Sequence, residues 1–202
     1  MRWSRYLWAL APFLAIASAI FIGAIWAGHE AGPELFQLLK DYIGGEAGGG
    51  RIDPLELALA IFFNNTFKDL MAIGLGPILG LYPLLLLAAN GVLIGSALRA
   101  IDPRTALALI PHGILEIPAM LISAAIGLSL AKLALSKWRA LPGAMAEALR
   151  FFALRIVPMN LAAAFLEVYA SPLMVDPLGA VVALFIAILV ALGLRQLFKE
   201  TG

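Results

Sequence analysis

An imidazole and a carboxylate one helical turn apart, inside an apolar stretch, are the residues of this chain best suited to chemistry. They occur in Pro111-His112-Gly113-Ile114-Leu115-Glu116-Ile117-Pro118-Ala119, within the segment from Thr105 to Lys132. At helical spacing His112 and Glu116 project from one face. Such a pair can relay protons, hold a cation or substrate, or give two ligands to a divalent metal. Two ligands do not complete a metal site, and the other histidine, His29, belongs to a predicted loop at a different depth. Further ligands would have to come from Glu167, Asp69 or asparagine amides, so the sequence assigns no metal and no cofactor. The structural alternative is that His112 and Glu116 bond each other or neighbouring helices and lock a bundle. Gly113 leaves the flank of this helix open to another backbone, and Pro118 removes the hydrogen bond to the Ile114 carbonyl.

Asn64-Asn65-Thr66-Phe67-Lys68-Asp69 form a second polar island. Asn64 and Lys68 share a helical face, as do Asn65 and Asp69, which gives two adjacent polar rows. Lys68 can snorkel or pair with Asp69 or Glu116, or the rows can line a translocation path. The expected arrangement is one intramembrane polar cluster of His112, Glu116, Asn64, Asn65, Lys68, Asp69 and Asn90. Asn90 and Asn160 read as interhelical hydrogen-bond partners, and Glu167 as solvated from the outer interface. No catalytic residue is assigned. There is no G-x-S-x-G, no phosphate-cradling loop and no cysteine nucleophile, so an enzyme is not expected.

The elements that must position these groups are set by composition. The chain is 62% hydrophobic and 13% charged, with mean hydropathy +0.96, more apolar than a soluble domain of this size can hide. The expected fold is all-α: one polytopic domain with about six transmembrane helices, near 6–27, 54–75, 78–98, 105–132, 156–172 and 178–196, and an amphipathic surface helix near 137–154. Its natural partner is the lipid bilayer, and a net charge of +1 without a basic patch argues against nucleic acid. Asp53-Pro54 should cap the second span, Gly76-Pro77 should end it, and Gly44 to Gly50 should be a flexible turn. Gly91 and Gly95 form a small-xxx-small pair which, with Gly113, suits close helix packing and self-association, a dimer being favoured.

The polar island raises an alternative in which Pro54 to Asp69 re-enters without crossing, leaving five spans. Charge bias decides between the two. With six crossings Arg2, Arg5, Lys132, Lys137, Arg139, Arg150, Arg155, Arg195 and Lys199 are cytoplasmic, and only Lys40, Arg51, Arg99 and Arg104 lie outside. With five, the basic 132–155 stretch would face outward. The expected location is thus the cell membrane, multi-pass, with both termini cytoplasmic.

Asn64-Asn65, then Gly76 and Gly80, then Asn90-Gly91 with Gly95, then Pro111-His112-Gly113-x-x-Glu116-x-Pro118-Ala119 with Gly127, resembles in order the stage II sporulation protein M family of integral membrane proteins. Its specific part is the Pro-His-Gly-x-x-Glu-x-Pro string; Lys68-Asp69 fall outside the pattern. The resemblance implies a non-enzymatic, membrane-embedded organiser or partner of a larger complex, with other membrane proteins as candidate partners, and transfers no catalytic residue. The alternative from the residues themselves is a small transporter or channel with an intramembrane His/Glu site.

Overall fold

The computed structural model describes residues 3–44 and 52–195, and within these it contains helices and short turns with no strand. Most of the expected glycine-rich turn, from Gly45 on, lies outside the described residues. The helices are α1 (Trp3–Ala31), α2 (Pro33–Gly44), α3 (Pro54–Gly74), α4 (Leu81–Ala100), α5 (Pro103–Leu107), α6 (Ile110–Ser136), α7 (Leu141–Phe151), α8 (Val157–Phe165) and α9 (Pro177–Arg195). Five stretches are long and apolar enough to cross a membrane: Arg5–Ala31, Leu81–Ala100, Ile110–Ser136, Trp138–Val175 and Pro177–Leu194. α3, with 21 residues, has comparable length. Its polar rows are what set it apart.

Local sequence explains the ends of α3. Asp53 accepts hydrogen bonds from the amides of Leu55, at 2.8 Å, and Glu56, at 3.3 Å, and Pro54 occupies the first helical position. Beyond Gly74 the chain turns through Leu79 (φ 54°) and Gly80 (φ 70°). Two successive left-handed residues cannot belong to a right-handed helix, so α4 starts at Leu81 instead of the expected Ile78.

α6 is the central element. Its Ile126 and Leu130 join Ile73 of α3 and Phe151 of α7 in one apolar cluster; Met120 and Ala124 join Phe21 of α1 and Leu87 of α4 in a second; Leu115 joins Ala163 of α8 and Ala187 of α9 in a third. A Cβ on Gly127 would collide with the Ala72 carbonyl, and one on Gly76 would collide with the Gly127 backbone. α3 and α6 therefore touch main chain to main chain at this end. Lys68 and Glu116 share a pocket further along, so the two helices run in the same direction.

One expectation changes and another is narrowed. The helix predicted over 137–154 and the span predicted over 156–172 form one helical run from Trp138 to Val175. Lys137, Arg139 and Arg150 are exposed, whereas Ala148, Phe151 and Phe152 turn into the core beside Leu10 and Ile126. A π-turn at Phe152–Ile156 then rotates the following residues without ending the helix. Gly91 and Gly95, expected to serve close helix packing within the chain or between copies, are used within it: Gly91 abuts Ala24 and the Phe21 carbonyl, and Gly95 the Ile25 carbonyl and His29 amide. The small-residue face of α4 is filled by α1, leaving the dimer expectation without this support.

Gly95→Ala should therefore cost about 1–3 kcal/mol, because its methyl meets backbone that cannot rotate away. Gly23→Ala, with open space at its Cβ position, should be neutral or stabilising by about 0.5–1 kcal/mol. Thermal unfolding of the two variants in detergent checks both signs.

Candidate functional site

α3 brings Asn64, Asn65 and Lys68, α4 brings Asn90, the first two turns of α6 bring His112, Gly113 and Glu116, and the helical run through α8 brings Glu167. All of them line a single cavity of about 290 Å³, walled between the polar groups by Ile61, Leu93, Ile94, Leu109, Ile117 and Met120. Asn65, Lys68, Asn90 and Glu116 also border a smaller void of about 10 Å³, where Asp69 and Asn160 complete the lining. The volumes separate their capacities. The first holds several waters or a small solute, the second about one water.

The neighbouring ionisable groups Lys68 and Asp69 of α3 meet different fates because successive helical positions point about 100° apart. Asp69 is 3% exposed and accepts a 2.8 Å hydrogen bond from Asn160 Nδ2 of α8, itself fully buried. Lys68 faces the larger cavity. Among the described residues it makes no ion pair or hydrogen bond, and neither do Glu116 and Glu167. Of the options open to Lys68, a direct bond to Asp69 or Glu116 is not formed, and the residues of the expected polar cluster instead surround two adjoining openings between helices.

α6 begins at Ile110, so His112 sits in its first turn. Its Nδ1 lies 3.0 Å from Ser171 Oγ, in a 3₁₀ turn that follows Glu167 by one turn of helix. Ser171 is itself 5% exposed. One ligand atom each from His112, Glu116 and Glu167 lie within 4.8 Å of one another, so these three could hold a metal ion. Asn90 donates to its own helix at the Leu86 carbonyl, 2.9 Å away, and the Asn64 and Asn65 side chains contact each other at 3.4 Å. Gly113 does not seat a neighbouring backbone as expected: only Ile117 Cδ1 lies near its Cβ position, at 3.6 Å, and the missing side chain widens the cavity.

Ser171 is the site residue that local reading missed, while Glu167 was already among the residues from which further ligands could come. Glu167 stands near the end of its segment, where the sequence places it within reach of the outer interface. That end is where the antiparallel α6 begins, so proximity to an end places it beside His112. Ser171, before Pro172, looks like an ordinary turn residue.

Compared with models of known families, residues 5–172 match the one described as Stage II sporulation protein M. Every residue of the cavity falls within that stretch, and α9 falls beyond it. No curated protein and no solved structure matches the chain.

Unfolding free energies of single and double alanine variants should separate the two arrangements. Asp69 and Asn160 should couple by about 1.5–3 kcal/mol, the range for a hydrogen bond to a charged group. Lys68 and Glu116, facing a shared opening, should couple by about 1 kcal/mol or less. Equal couplings would contradict the division.

Proposed function

The chain belongs to the stage II sporulation protein M family, and from that premise we propose that it is a non-enzymatic integral membrane protein of the transport class, which admits a small cationic solute to the cavity between α3, α4 and α6. The single observation that carries this reading is a shared opening lined by ionisable side chains that, among the described residues, make no direct hydrogen bond or ion pair. Two carboxylates, Glu116 and Glu167, and one ammonium, Lys68, line the larger cavity beside the amides of Asn64, Asn65 and Asn90. With all three ionised the lining carries one net negative charge, and the asparagines add carbonyl acceptors. Charges whose only task is to hold helices together are expected to bond across the interface, as Asp69 does. In this reading the protein sits in the cell membrane with both termini cytoplasmic, following the lysine and arginine bias, and α3 is the sixth crossing.

A second reading, a membrane-embedded organiser of a larger complex, draws on family membership. It makes no demand on the cavity, so the two separate experimentally.

The absence of native cysteine makes the test direct. Asn64→Cys, at the cavity, should react with a charged, membrane-impermeant thiol reagent in native membranes. Phe63→Cys, on an exposed apolar position that does not line the cavity, should not, because a thiolate does not form in lipid. Equal protection of both would exclude a solvent-accessible cavity and favour the organiser.

A further inference from the structure

We propose that His112, Glu116 and Glu167 form a binding site for a divalent transition-metal ion such as zinc, cobalt or manganese, and that this ion is the cation the cavity takes. The proposal deepens the transport reading and rests on it.

Geometry is the first support. The three residues come from two helices that run antiparallel, α6 and the Trp138–Val175 run, and offer one ligand atom each within 4.8 Å of one another. Ligand atoms about 2.1 Å from a shared ion stand roughly 3–4 Å apart. Closing the remaining gap needs less than an ångström per side chain, within the reach of a χ adjustment on a glutamate. Glu116 follows His112 by one turn, so both come from the same short rigid stretch of helix, and only Glu167 has to be positioned from outside it.

The contact to His112 Nδ1 is the second support. When Nδ1–H donates to Ser171 Oγ, the imidazole lone pair is held on Nε2, the tautomer and the orienting partner that a metal-binding histidine characteristically has. Open space is the third. The same cavity is lined by Asn64, Asn65 and Asn90 and has room for water, so an ion held by three side chains can complete its coordination with solvent. One imidazole with two carboxylates suits zinc, cobalt and manganese. Magnesium and calcium prefer all-oxygen shells and gain little from the histidine.

Purified protein in nanodiscs, titrated with cobalt, should bind one ion per chain and develop the visible absorption of a low-symmetry cobalt site. Zinc should displace that ion and calcium should not. Glu167→Gln and His112→Gln, checked by thermal unfolding to be folded, should each weaken cobalt binding at least tenfold. Ser171→Ala, which touches the ion only through His112, should weaken it less and shift the absorption. No cobalt bound by the wild-type protein, or binding indifferent to both Glu167→Gln and His112→Gln, would overturn the metal site. If Asn64→Cys still reacts with the charged thiol reagent in that case, the cavity reading survives and the metal alone is lost; if it does not react, the reading beneath has failed as well.

Discussion

An ionised side chain placed among apolar helices costs several kcal/mol unless a dipole, a counter-charge or water answers it. That constraint shapes α3, and α3 shapes the rest of the bundle. Asp69 is answered by protein: the Asn160 amide reaches it across the α3–α8 contact, in a place too small for more than about one water. Lys68, Glu116 and Glu167 answer one another's charge across an opening, without direct bonds. The helices do not close around them, and the cavity of about 290 Å³ is what remains.

Packing at the other end of α3 makes that opening possible. Gly76 and Gly127 let α3 and α6 meet backbone to backbone, and Gly91 and Gly95 do the same for α4 and α1. Tight contacts at these points fix the helices where their side chains are smallest. Near Asn65 and Glu116 the side chains are long and polar, which holds the same helices apart. A bundle drawn together at its glycines and propped open at its polar residues needs no separate domain to form a binding site.

Much of this was legible in the sequence because the signals are local. Apolar length gave the all-α membrane class, Asp53-Pro54 marked the start of α3, and the one-turn spacing put His112 and Glu116 on a common face. What could not be read depends on which helices become neighbours. Glu167 and Ser171 reach His112 only because α6 and the Trp138–Val175 run are antiparallel. A small-xxx-small pair looks the same whether its partner lies in the same chain or another, so nothing about Gly91 and Gly95 alone indicated α1. The break expected near residue 155 was inferred from alternating charge, and the structure shows how a helix avoids it: a π-turn reorients the apolar face from Phe151 to Met159 while the hydrogen-bonded run continues.

The central claim is that water occupies the opening at Lys68, Glu116 and Glu167, inside an otherwise dry bundle. Hydroxyl-radical footprinting of the unmodified protein in membranes tests it through two methionines of matched burial. Met120 is 8% and Met159 5% exposed, but only Met120 lines the cavity. Radicals generated from bound water should oxidise Met120 several times faster than Met159. Equal, slow oxidation of the two would mean that the cavity is dry, and would contradict the account.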